Sequence, residues 1–158
     1  MKRQGFTLIE LLIVIAIIGI VAAIAIPNLL TALQKGKQKA TMGDMKSIGS
    51  AIESYLTDLY MVPTGSTTIA GLAGVLQPFY IKVLPAQDGW GGLFQYQSQG
   101  VGENQDLYSI TSWGRDGAAG GIVATDPSNS PYVVTTMSGF GNDIVYSNGN
   151  FTFAPKVK

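Results

Sequence analysis

The stretch MKRQGFTLIELLIVIAIIGIVAAIAIP, Met1 to Pro27, sets the conditions that the rest of the chain has to meet. Sixteen residues from Leu11 to Ile26 carry no charge, and the twenty-eight from Phe6 to Leu33 carry only Glu10. Twenty-eight helical residues at about 1.5 Å each reach ~42 Å, more than the ~30 Å hydrocarbon core of a bilayer. Lys2 and Arg3 precede the run, and Lys35, Lys37 and Lys39 follow it. The positive-inside rule keeps the short basic end cytoplasmic and sends the longer C-terminal part out. A carboxylate at the middle of a spanning helix costs roughly 2.5–3.5 kcal/mol. Glu10 therefore calls for a partner, or for snorkelling to the headgroups from near the helix end.

Three readings fit such a segment. A cleaved secretory signal has a basic start, an apolar run and a small-residue site such as VAA or AIA around residues 21–25,. It leaves Glu10 and Pro27 unexplained. A plain signal anchor leaves Glu10 without a partner. The third reading is a resemblance: KRQGFTLIELLIVIAIIGIVAAIAIPNLL is similar to the leader and N-terminal helix of the type IV pilin and type II secretion pseudopilin family. Gly5, Phe6, Thr7, Glu10, Pro27 and Asn28 all stand where that pattern has them.

The resemblance implies that residues 1–5 are a prepilin leader. A prepilin peptidase would cut after Gly5, and the same enzyme would methylate the new amine of Phe6. Residues 6–33 are then the transmembrane and assembly helix. During assembly Glu10 of one subunit would meet the Phe6 amine of its neighbour. Pro27 removes one backbone hydrogen bond and kinks or locally melts a helix, unless packing absorbs it. In the family the region before it, here including Gly19, is extended in filaments.

Composition narrows the rest. Ten basic and ten acidic residues leave no net charge, and nothing points to nucleic acid. With no cysteine and no histidine, disulfides, thiolate nucleophiles, common zinc sites and histidine-based triads are excluded. Met45, Ile48, Ile52, Tyr55 and Leu59 form a helical stripe,. One helix from about Phe6 to Met61, bent at Pro27, accounts for both halves, with residues 34–61 its amphipathic continuation.

Residues 62–158 read as a globular head. A short helix is predicted at Ile69–Leu76. Strands are predicted at Leu93–Gln97, Leu107–Ser112, Tyr132–Met137, Asp143–Ser147 and Phe151–Phe153, with Ser147–Asn150 as a hairpin turn,. The fold class is α+β: a long N-terminal helix, its hydrophobic half protruding, packed by its C-terminal half on an antiparallel sheet, which is the pilin fold.

Within the family, YIKVLPAQDGWGGLFQYQS, DLYSITSWGRDGAAGG and NDIVYSNG resemble the major pseudopilin of type II secretion. Trp90, Gly91, Tyr96, Ser112, Gly114, Asp116, Gly117 and Asp143 match its pattern. The resemblance implies calcium in the acidic, glycine-rich loop, with Asp116 and Asp143 as ligands and Asn142 and Asp126 as further candidates. Six to eight hard oxygens at about 2.3–2.6 Å suit that ion. A segment of roughly twenty residues, 122–141, stands where the family loop is much shorter, which leaves the ion site and the choice between pseudopilus and surface pilus open.

The function so implied is structural: a homo-oligomeric helical filament. Its partners would be the prepilin peptidase, an inner-membrane assembly platform, minor pilins or pseudopilins, and lipid before assembly. The subunit would be single-pass in the inner membrane with its head periplasmic, then part of a periplasmic or cell-surface filament. The alternative is a soluble, exported, calcium-dependent binding module released by signal peptidase. An enzyme would have to rest on scattered carboxylates such as Asp88 and Asp116, with no nucleophile–base spacing.

Overall fold

The computed structural model describes residues 5–98, 106–119, 134 and 136–156. Helix α1 runs from Leu8 to Leu59. The chain divides into two compact units, Met1–Lys35 and Gly36–Lys158.

The first unit is the apolar part of α1. Its Leu, Ile and Val side chains are exposed over almost the whole length. Among the described residues α1 is the one helix long and apolar enough to cross a membrane. Helical assignment continues through Pro27. Pro27 has no N–H to give the carbonyl one turn back, and the polar side chains beside it bond to the backbone instead. Asn28 Nδ2 donates to the Ile24 carbonyl at 3.1 Å, and Thr31 Oγ1 donates to the Pro27 carbonyl at 3.0 Å. In the single chain the stretch containing Gly19 is helical as well.

The second unit is built on the rest of α1. Met45, Ile48 and Ile52 are fully buried, as their spacing predicts, and Tyr55 packs at the core's margin. Leu59, expected on the same stripe, is exposed. The helix ends there because Tyr60 adopts a left-handed conformation (φ 57°), the usual way a helix stops. The buried face also reaches back to Gln38 and Thr41, two polar residues that an apolar pattern passes over.

After the helix, a 3-10 turn at Ile69–Leu72 runs into a single α-turn, α2 (Ala73–Leu76), which buries Ile69, Leu72 and Leu76. Among the described residues four strands follow: β1 (Gln95–Ser98), β2 (Tyr108–Ser112), β3 (Ile144–Ser147) and β4 (Asn150–Phe153). They form an antiparallel meander in the order β1-β2-β3-β4. Register places Tyr96 opposite Ile110 and Ile110 opposite Tyr146. Along β2 burial alternates, with Tyr108, Ile110 and Ser112 inward, as a sheet with one covered face requires. The β3–β4 turn is Asn148-Gly149, both at positive φ (46° and 86°), the combination that a two-residue hairpin of matching twist needs.

The strand expected at Tyr132–Met137 lies partly outside the described residues. Where it is described, it is not a strand: Met137 opens a 3-10 turn, Met137–Gly141. Glycines at 139 and 141 favour that tighter path over an extended one.

Helix and sheet approach closely at one glycine. A Cβ on Gly49 would overlap the Tyr146 ring. Alanine is the better helix former by about 1 kcal/mol, but overpacking a core typically costs about 1–3 kcal/mol. Gly49→Ala is therefore expected to lower the melting temperature of the full chain in detergent, whereas Gly43→Ala, with open space around it, should raise it or leave it unchanged.

Candidate functional site

The N-terminal end of α1 is organised around Glu10. Thr7 immediately precedes the helix and Glu10 lies three residues on. The Thr7 N–H and hydroxyl both donate to Glu10 Oε2, at 2.9 and 2.7 Å, and the Glu10 N–H points back to Thr7 Oγ1 at 3.4 Å. This is a reciprocal capping box, which satisfies backbone donors that a helix start leaves over. In the single chain Glu10 thus has an internal partner, Thr7. The signal was present in the sequence as Thr-Leu-Ile-Glu before an apolar run. Gly5 and Phe6 lie just ahead of the helix in non-helical, exposed backbone.

A second group of predicted residues meets in the head. Asp116 closes a 3-10 turn, Gly114–Asp116, and Gly117 follows at φ 64°. That turn packs closely on Met137–Gly141, and neither Gly114 nor Gly141 has room for a side chain. A Cβ on Gly114 would lie 2.7 Å from the Asn142 carbonyl oxygen and 2.9 Å from that of Phe140. A Cβ on Gly141 would lie 2.9 Å from Asp116 Oδ2. One Asp116 oxygen, Oδ1, accepts the Ala118 N–H at 3.2 Å. Asn142 thus enters through its main chain, and buried Asp143 follows it into β3. Asp126 lies outside the described residues.

Carboxylates and carbonyl oxygens held by glycine-only contacts are the donor set that calcium takes. Among the described residues no three acidic side chains form one group. An ion here would be held by Asp116, Asp143 and main-chain carbonyls.

Asp88 is a residue whose role the sequence did not disclose. It is buried and fully engaged. Oδ1 accepts the N–H groups of Trp90 (2.9 Å) and Gly92 (2.8 Å), and Oδ2 accepts the Ser112 hydroxyl at 2.7 Å. A carboxylate receiving three donors serves the structure, holding the Trp90–Gly92 turn to Ser112.

The aromatic hydroxyls of the head are set by burial. Tyr96 donates to the Pro63 carbonyl at 2.8 Å, and burial pushes its phenol up to about 12. Tyr108 donates to Glu53 Oε1 at 3.0 Å, and burial together with that carboxylate holds its proton well above the usual phenol range. A phenol with a raised folded-state value stabilises the fold fully below pH ~10, and that stability is lost as pH climbs through the folded-state value. The melting temperature is expected to fall steeply between pH 10 and 12, and Tyr96→Phe should flatten that part of the profile.

Comparison with known proteins gives two matches in succession along the chain. Residues 1–26 match the prokaryotic N-terminal methylation motif. Residues 28–129 match the model for type II secretion system (T2SS), protein G.

The chain belongs to the type II secretion system protein G family.

Among its relatives, the core protein G of Pseudomonas aeruginosa is 35% identical over 128 residues, 75% of this chain and 89% of that protein. The core protein G of Vibrio cholerae is 32% identical over 130 residues, 75% and 87%. That of Escherichia coli K12 is 34% identical over 129 residues, 75% and 86%. The crystal structure of the major pseudopilin from the type 2 secretion system of enterohaemorrhagic Escherichia coli matches with a TM-score of 0.44 and 28% identity, over 60% of this chain and 88% of that one. Membership of the protein G family resolves the branch that the 122–141 segment had left open. The match contains Asp88 and Asp116 and ends before Asn142 and Asp143.

Proposed function

We propose that this protein is the structural subunit of a type II secretion pseudopilus. The observation that carries this is the continuity of two matches along one chain, the methylation motif over residues 1–26 and the protein G model over 28–129. The exposed apolar half of α1 supplies the physical need for assembly. Lipid covers it first, and copies of the same helix cover it afterwards. Prepilin peptidase cuts between Gly5 and Phe6 and methylates the new amine. The cut removes Lys2 and Arg3, leaving a terminus whose amine is protonated at neutral pH. The subunit waits in the inner membrane with its head in the periplasm. An inner-membrane platform and minor pseudopilins then take part in building the filament.

In this scheme Glu10 has two successive partners. Before assembly the Thr7 box satisfies its carboxylate within the chain. In the filament it also meets the Phe6 amine of the next subunit. In a water-poor surrounding such a pair is worth far more than at a surface, while an unpaired charge there is costly. The pair therefore sets the register of each added subunit.

Two substitutions separate the capping role from the pairing role. Glutamine serves in a capping box as glutamate does, but it carries no charge. Glu10→Val and Glu10→Gln should both leave membrane insertion and leader cleavage intact and reduce filament yield by at least about tenfold, in line with the ~1.5–3 kcal/mol of a charged hydrogen bond. Wild-type filament yield from Glu10→Gln would assign the residue to capping alone. N-terminal sequencing of the mature protein should begin at methylated Phe6. A start near residues 24–26 would instead support a soluble module released by signal peptidase.

The Gly114–Gly117 loop and the residues from Phe140 to Asp143 are proposed to hold calcium, with Asp116 and Asp143 as carboxylate ligands. Calcium that binds only the folded state raises the melting temperature, by an amount that grows with the logarithm of its concentration over its dissociation constant. Wild-type protein should melt at a higher temperature with millimolar calcium than with chelator, and Asp116→Ala should remove that difference. Equal melting of the wild type in both conditions would take the ion out of the scheme.

A further inference from the structure

Three buried polar residues of the head, Thr41, Asp88 and Ser112, lie on one connected line. It begins at Gly114, whose N–H donates to Ser112 Oγ at 3.2 Å. The Ser112 hydroxyl donates to Asp88 Oδ2, and Asp88 Oδ1 gathers the N–H groups of Trp90 and Gly92. The main chain closes the same loop: the Asp88 N–H donates to the Gly92 carbonyl and the Gly91 N–H to the Asp88 carbonyl, at 2.8 and 3.0 Å. Between these contacts sits Gly89, whose N–H donates to Thr41 Oγ1 at 2.9 Å, and the Thr41 hydroxyl donates to the Lys37 carbonyl at 3.0 Å. The fit against the helix is tight, since a Cβ on Gly89 would lie 2.5 Å from the Lys37 carbonyl oxygen. Thr41 and Ser112 are both 0% exposed and Asp88 is 8% exposed, so water does not substitute freely for the side chains that carry the line.

We propose that Asp88 is a positioning residue that couples the Gly114–Gly117 loop to α1 at Lys37–Thr41, so that order in the loop sets how firmly the head holds the helix. The physical reason is that the central links, Gly114 to Ser112 and Ser112 to Asp88, are buried, and Asp88 holds Trp90 and Gly92 through a single oxygen. A Ser112 hydroxyl displaced by movement at Gly114 leaves Asp88 Oδ2 unsatisfied. The carboxylate can recover only by turning, which releases Trp90 or Gly92 and with them the tight loop that presents the Gly89 N–H to Thr41. Buried polar networks respond as units for this reason. The coupling stands on these hydrogen bonds and does not depend on an ion in the loop.

A double-mutant cycle read by amide hydrogen exchange tests it, on the full processed chain in detergent micelles. The exchange rate at Gly89 is taken relative to that at Ile48, in the core of α1, so that global destabilisation cancels. Gly114→Ala introduces a Cβ against the Phe140 and Asn142 carbonyls and disturbs the loop, and should speed relative exchange at Gly89 about tenfold. In a Ser112→Ala background the same substitution should add less than about twofold, the limit within which independent sites combine. Relative exchange at Gly89 unchanged by Gly114→Ala, while the Gly139 amide quickens, would overturn the proposal. So would effects of the two substitutions that simply multiply. If Gly114→Ala does not fold, Gly141→Ala disturbs the loop from the side of Asp116 and carries the same two outcomes.

Discussion

The molecule is governed by an apolar helix end that a single chain cannot cover. From Leu8 to Leu33 the side chains of α1 are exposed, and the hydrophobic effect leaves few stable settings for such a surface. Lipid is one and a bundle of like helices is another. Glu10 stands at the end of this surface, where a carboxylate is tolerated only with its hydrogen bonds filled. The Thr7 box fills them in the lone subunit. Under the proposed assembly, the same box would let a charged residue sit in a membrane-inserted precursor and offer its charge to a neighbour later.

The other half of α1 answers a different demand. Its buried face is narrow and includes Gly49, where the absence of a side chain admits the Tyr146 ring, and Thr41, whose hydroxyl receives the Gly89 loop. The sheet supplies aromatic and β-branched side chains from alternate positions of β1 to β3. The head is thus held to its helix both by apolar packing around Met45, Ile48 and Ile52 and by the polar line through Asp88. Burying the Tyr96 and Tyr108 hydroxyls is affordable because each finds an acceptor, the Pro63 carbonyl and the Glu53 carboxylate,.

Much of this was legible in the sequence, and the misses have physical causes. The apolar run, Pro27 and the position of Glu10 announce the helix, and 3.6-residue spacing locates its buried face. Asn148-Gly149 announces the last hairpin because few other pairs adopt two positive φ angles. Leu59 was misplaced because periodicity cannot sense that Tyr60 ends the helix. Polarity argues for the surface unless a specific partner is known, which hides Gln38, Thr41, Ser112 and Asp88 as core residues; the partners of Thr41 and of the Ser112–Asp88 pair are 48 and 24 positions away. The capping box is legible in the three-residue spacing of Thr7 and Glu10, and the charge of Glu10 in an apolar run is the louder signal at the same place. Asp116 is legible in the sequence as a loop acid, whereas the approach of the Phe140 and Asn142 carbonyls to Gly114 follows from packing between two glycine-containing turns.

The central claim is that the amine exposed at Phe6 lies against Glu10 of an adjacent subunit in the filament. It is tested most directly by solid-state NMR on filaments assembled from two pools of processed subunits, one with ¹⁵N-labelled phenylalanine and the other with ¹³C-labelled glutamate carboxyls. The amine nitrogen of Phe6 is resolved from amide nitrogens, so its dephasing by glutamate carbon reports contact between different chains. The account predicts dephasing that corresponds to about 4 Å, the range of an ion pair. An amine signal untouched by the carboxyl label in well-formed filaments would contradict it.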